Sequence, residues 1–329
     1  MITRQYEDGA PHLTRAKILG TILQTTLNGP VTFTGVGLHS GKPVRMTVHP
    51  ASPEHGIWFR RTDVTDCDAL IPARYDVVHQ SPLCTKIVNE AGTTLSTVEH
   101  IMAALAGCGI HNAMVDVNGP EVPILDGSSA QFVKGLLSRG LRSQETPVRV
   151  IEILKPVDVR KGDAWARLEP ADELRIDFHI SFEEEAIGVQ EKGLQMANGA
   201  FVRELSNCRT FCRRAEVEWM QDNGLALGGV AGENAVVFDG AVVESGAGLR
   251  HADEPVRHKM LDALGDLALA GAPILGHYTG FRAGHAVTND LLRALFAQPD
   301  AFRMVTCDRD MQARLPGVGV HLDEIPAVA

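Results

Sequence analysis

Short strand-like segments followed by amphipathic helix-like segments occur twice along this chain, and over 329 residues that makes two domains around two cores the first expectation, with one large domain as the alternative. From Val31 to Arg61, segments such as VRMTVHP and GIWFRR are separated by Gly- and Pro-containing clusters, TGVGLHSGK among them, which is the pattern of short strands and turns. A helix is predicted from about Ser96 to Cys108, then a strand at AMVDV, the turn NGPEVPILDGSS, and a second helix at AQFVKGLLSRG. The order restarts after the polar stretch RSQETP, with strands at VRVIEIL, AWARLEP and LRIDFHI. Helices are predicted there at ANGAFVRELSN, EVEWMQDNG, PVRHKMLDALGDLALAG and NDLLRALFAQ. The expected fold class is α+β, with two similar domains at residues 25–147 and 148–329, each a small sheet layered against helices, after an N-terminal extension over 1–24.

Composition excludes several classes of function. The 44% hydrophobic and 22% charged content is that of a globular protein rather than a disordered one. A formal net charge of −10 with scattered basic residues leaves no footprint for a nucleic-acid backbone, so no nucleic-acid partner is expected. A few placed Lys or Arg residues in a cleft still suffice for a small anionic ligand. No apolar run reaches the roughly 18 residues that would span a bilayer, and the first residues lack a signal-peptide core. A cytoplasmic protein with no integral membrane association is the expectation. Six cysteines without a dense framework read as reduced thiols; Cys208 and Cys212 lack a second Cys or His pair at metal-site spacing.

Three segments hold residues with chemical capacity. In PVRHKMLDALGDLALAG, Pro255 suits the first helical turn and Gly271 the exit. His258, Asp262 and Asp266 lie opposite Met260, Leu264 and Leu267 on that helix, either as a solvated face or as a pair of metal ligands one turn apart. In LSTVEHIMAALAGCG, Ser96 and Glu99 have capping-box spacing, which gives Glu99 a purely structural role. The other reading makes Glu99 a general base beside a ligand, His100, whose small neighbours Ala103 and Ala104 admit a second element. In GHYTGFRAGHAVTN, His285 follows a strand-turn bounded by Gly280 and Gly284.

Taken together, TGVGLHSGK, FRRTD, LCTKIVNE, STVEHIMAALAG, EVPILDGSSAQF, RTF, LGG, RHKMLDALGDL and AGHAVTN resemble the UDP-3-O-acyl-N-acetylglucosamine deacetylase family, zinc amidases of lipid A biosynthesis. The resemblance implies a site between the two domains, with zinc held by His100, His258 and Asp262; ferrous iron suits the same donors. It implies Glu99 as the base that takes a proton from the attacking water, and Thr210 near the oxyanion. His285, held protonated by Asp266, is implied to stabilise the intermediate and protonate the departing amine, with two schemes open: Glu99 alone as base and acid, or Glu99 sharing the task with His285. Lys259 is implied to reach substrate oxygens and Phe182 to stack on uracil. Ala164 stands where the family carries Lys, and Ser181 where it carries an acid. Leu38, Phe211, Val217 and Leu227 are implied to line an acyl passage, and Cys84 is either a recruit for an inhibitory extra metal or an inert thiol. The expected partner is a small molecule, an acylated UDP-amino sugar, bound by a monomer. The competing class is a non-catalytic sugar-nucleotide binding protein on the same fold.

Overall fold

The computed structural model describes residues 23–81, 83–246, 248–320 and 322–326. The chain is α+β, and its two largest sheets come from the two halves of the sequence. A five-stranded sheet is ordered Val31–Val36, Pro43–Pro50, Ala113–Val117, Ile57–Arg61, Leu70–Pro72. Its central strand, Ala113–Val117, runs antiparallel to Pro43–Pro50 and parallel to Ile57–Arg61. The alternation Val44, Met46, Val48 turns one face inward, as the sequence pattern requires. A seven-stranded sheet is built around Ile274–Phe281, which runs antiparallel to Ala164–Glu169 and parallel to both Leu174–Ser181 and Arg149–Ile153.

Among the described residues, five helices of nine or more residues accompany the sheets: α1 (Glu99–Gly107), α2 (Ala130–Arg139), α3 (Arg214–Asp222), α4 (Glu254–Leu267) and α5 (His285–Phe296). Pro255 occupies the first turn of α4, where a missing N–H costs nothing, and a short 3-10 turn then ends at Gly271 in the left-handed region (φ 83°). The polar side of α4 is not solvated: His258, Asp262 and Asp266 are 2%, 5% and 3% exposed. This removes the solvated-face reading, because α4 is enclosed by α1, α5 and the strand Leu174–Ser181.

Helices α1 and α4 cross at Gly265. A Cβ there would lie 2.1 Å from the Glu99 carbonyl oxygen, so only a glycine admits this approach. At the C-terminal end of α1, a Cβ at Gly107 would strike the Phe201 ring at 2.0 Å. Two small residues thus let α1, from the first half of the chain, pack against elements of the second.

Several local expectations change. The stretch 142–147 belongs to the strand Leu141–Pro147, paired antiparallel with Leu23–Leu27. Its polar residues are accommodated because Gln144 accepts from Asn112 and donates to the Ala51 carbonyl, both at 2.8 Å. The last two residues of the expected extension, Leu23 and Gln24, join that pair, and 1–22 lie outside the described residues. Within ANGAFVRELSN only one π turn forms, at Phe201–Leu205. No capping box opens α1: its N-cap is Val98, without a side-chain bond, and Thr97 has a φ of 61°. The helix expected at NDLLRALFAQ begins four residues earlier, with His285 as the first residue of α5.

Alanine ordinarily stabilises an exposed helical glycine position by roughly 1 kcal/mol. At Gly265 the clash decides the sign: Gly265→Ala is expected to cost about 1–3 kcal/mol, read from urea unfolding. A midpoint at or above wild type would contradict the crossing.

Candidate metal and proton-transfer site

Helix α1 supplies two adjacent side chains, His100 to a buried cluster completed by α4 and Glu99 to a second cluster beside it, shared with α4 and α5. His258 and Asp262 stand one turn apart on α4, with His258 Nε2 3.3 Å from Asp262 Oδ1. His100 Nε2 approaches the same oxygen to 3.7 Å, and the two imidazoles meet edge to face with centroids 5.1 Å apart. One nitrogen from each imidazole and one Asp262 oxygen all lie within 4.8 Å of one another. Ligands of a tetrahedral zinc ion, each about 2.0–2.1 Å from it, lie about 3.3 Å apart, so the spacing suits one small cation.

The donor atoms carry the right protonation. His258 Nδ1 donates to the Cys208 carbonyl at 3.0 Å, since a carbonyl can only accept, and this leaves Nε2 with its lone pair toward Asp262. Burial, with His258 adding to it, pulls His100 down to about 3, so it too is a neutral imidazole. Burial likewise lowers His258. Burial opposes ionisation of Asp262, but His258, the Lys259 ammonium and His285 outweigh it and hold the carboxyl well below the usual range. Lys259 Nζ donates to Asp262 Oδ2 at 2.7 Å, whereas buried Oδ1 has no hydrogen-bond donor among the described residues. An unsatisfied buried carboxylate oxygen between two neutral imidazoles is costly unless a cation is shared among them. The residues therefore fit a divalent metal ion.

Beside this cluster lies a second, proton-handling one. Glu99 is 3% exposed and accepts the Thr85 N–H at Oε2, 3.0 Å away. Burial pushes its carboxyl up to about 8 even though His285 opposes the shift. His285 Nδ1 bonds Asp266 Oδ2 at 2.8 Å, which points Nε2 toward Glu99 Oε1 at 3.8 Å and Asp262 Oδ2 at 4.0 Å. Burial works to lower His285, but Asp266, Glu99 and Asp262 overcome it and raise the imidazole to about 9. At neutral pH His285 is thus a cation presenting its Nε2 proton to the site.

A polar cavity of 340 Å³ adjoins Lys259 and is lined by Phe182, Arg213, Arg282, Glu183 and neighbours. Arg213 is committed to Glu184 and Glu216, but Arg282 has no ion-pair partner among the described residues and sits at a φ of 49°, a strained conformation for this residue. Phe182 and Phe211 meet edge to face at 5.6 Å, and Phe211 approaches His258 at 6.3 Å. Thr210 is fixed by backbone bonds to Gly127 and Val236, two residues beyond the Cys208 that holds His258. Leu38 accepts from Gly228 through its carbonyl, Val217 is half-buried on α3, and Leu227 is 59% exposed. Cys84 is buried, which pushes its thiol up to about 12, and all six cysteines are free.

Sequence reasoning missed Gly265, Arg282 and Thr85. A helical Gly on the buried side of α4 is a signal for close packing; a Thr within LCT gives none.

A model of the family described as LpxC, UDP-3-O-acyl N-acetylglycosamine deacetylase, matches residues 24–297. Proteins named UDP-3-O-acyl-N-acetylglucosamine deacetylase are similar over nearly their whole length. The one from Phenylobacterium zucineum is 48% identical over 290 residues, covering 88% of this chain and 99% of its own. Those from Idiomarina loihiensis and Shewanella frigidimarina are 46% and 43% identical, covering 90% and 92% of this chain and 96% and 100% of theirs. The matched span takes in the five-stranded sheet, all of the seven-stranded sheet but its edge strand Phe302–Thr306, and every side chain of the two clusters, and on that basis the chain belongs to the UDP-3-O-acyl N-acetylglycosamine deacetylase family.

Proposed function

We propose that this chain hydrolyses the acetamide of UDP-3-O-acyl-N-acetylglucosamine to acetate and the free amine, a committed step of lipid A biosynthesis, using one divalent metal ion. The observation that carries the reading is the donorless Oδ1 of Asp262 between two neutral imidazoles, with Glu99 and His285 alongside. His100, His258 and Asp262 would hold the ion, with zinc as the favoured metal and ferrous iron suited to the same donors. When bound, such an ion polarises a carbonyl and acidifies water.

The remaining chemistry belongs to the chain. Glu99, placed by the Thr85 N–H, takes the proton of the attacking water as its oxygen adds to the acetamide carbonyl carbon. With an ion held by His100, His258 and Asp262, the Glu99 carboxyl would lie below its raised value and serve as a base at neutral pH. Thr210 faces the developing oxyanion. As the C–N bond breaks, His285 delivers its Nε2 proton to the leaving nitrogen, and Asp266 holds the imidazole in place through Nδ1. Without that proton the leaving group would be an amide anion.

Lys259 and Arg282 give the polar cavity an excess of positive charge suited to a diphosphate, and Phe182 offers a face for the uracil. Leu38, Phe211 and Val217 would meet the acyl chain. On this reading residues 25–147 and 148–329 act as two domains with the site between them, and the enzyme works as a monomer in the cytoplasm. No described helix is long and apolar enough to cross a membrane.

Glu99→Ala is expected to retain its metal and lose about 100- to 10,000-fold in kcat, whereas His258→Ala loses both metal and turnover. Metal analysis coupled to acetate release checks this. Metal uptake by the wild type without acetate release would favour the non-catalytic sugar-nucleotide binder. The profile of kcat/KM should fall as His285 deprotonates near pH 9, because the required form is the protonated one below that value. In His285→Gln that alkaline fall should disappear from a profile already lowered; an unmoved limb would take His285 out of the scheme.

A further inference from the structure

Thr85 precedes the strand Lys86–Val88, is 2% exposed, and enters the reaction as described so far only through its backbone N–H; its hydroxyl has no part in it. All three of its polar groups are used. Its N–H donates to Glu99 Oε2 at 3.0 Å, its carbonyl accepts the Val98 N–H at 3.3 Å, and its hydroxyl donates to Asp266 Oδ1. The carbonyl bond ties the residue to the N-cap of α1, one position before Glu99. The hydroxyl reaches across to α4, on the far side of the helix crossing.

A carboxylate has two oxygens, and filling one with a fixed donor decides where the other points. With Oε2 taken by Thr85, Oε1 is the Glu99 oxygen left toward His285 Nε2. With Oδ1 taken by the Thr85 hydroxyl, Oδ2 is the Asp266 oxygen left for His285 Nδ1. We propose that Thr85 is a positioning residue that fixes the base Glu99 and the acid His285 in one relation across the helix crossing, acting on His285 through Asp266. Its hydroxyl is the replaceable half of the device, since valine has nearly the same shape and keeps the backbone N–H.

The inference rests on Glu99 and His285 being the proton carriers. Thr85→Val is expected to lower kcat by about 10- to 100-fold, with KM and metal content unchanged. Thr85→Ser should restore kcat to within a factor of about 3 of wild type. In an Asp266→Asn background the Val substitution should bring no further loss, because the partner through which it acts is already altered. In protein carrying ¹⁵N-labelled histidine, the hydrogen-bonded Nδ1 proton of His285 should shift in Thr85→Val and return in Thr85→Ser. Thr85→Ala carries the same comparison if the Val side chain prevents folding. A Thr85→Val enzyme with kcat within a factor of about 3 of wild type, an additive loss in the Asp266→Asn background, or no rescue by Ser would overturn the proposal. A wild type that releases no acetate would sink the hydrolase reading along with it, whereas an active wild type beside an equally active Thr85→Val sinks this inference alone.

Discussion

The approach of α1 to α4 at Gly265 is the constraint on which the rest of the structure depends. With no side chain at Gly265, the Glu99 backbone comes close enough for two neighbours on α1 to serve two clusters, one on α4 and one shared by α4 and α5. His100 meets His258 and Asp262, while Glu99 turns toward His285 and the Thr85 N–H. A wider crossing would separate the ligand from its partners and the base from the acid at the same time.

Charge follows from that geometry. The crossing buries three carboxyl groups, Glu99, Asp262 and Asp266, beside two groups held as cations, Lys259 and His285. Burial pulls the Lys259 ammonium down, yet Asp262 and its fellow carboxylates keep it above the ordinary lysine range. The His100 and His258 imidazoles stay neutral, so with all three acids ionised the site keeps an excess negative charge near Asp262 Oδ1. A divalent ion shared by those donors would offset that charge and supply what the lone oxygen lacks. On the proposed reading, metal binding and the ionisation of Glu99 would therefore be coupled.

Much of this was legible in the sequence. Alternating apolar residues identified strands such as Pro43–Pro50 and Leu174–Ser181, and the 3.6-residue period located α1, α2 and α4. The i, i+4 spacing of His258 and Asp262 offered a metal pair but equally a solvated face, and burial alone separates the two readings. Period and spacing report the neighbours on one element; they are silent on what packs against it. For that reason the pairing of Leu141–Pro147 with Leu23–Leu27 was missed, since its strand is held by Gln and Asn side chains rather than by apolar alternation. The capping box suggested by Ser96 and Glu99 failed for a related reason: Glu99 is drawn inward to the Thr85 N–H instead of back to its own helix end.

The central claim, that His100, His258 and Asp262 close around one cation, is tested most directly by X-ray absorption at the metal edge of the purified protein. The account requires one metal per chain with nitrogen and oxygen neighbours at about 2.0–2.1 Å, the outer-shell signature of two imidazoles, and loss of that signal in Asp262→Ala. Sulfur neighbours at about 2.3 Å, or an unchanged spectrum in Asp262→Ala, would contradict it.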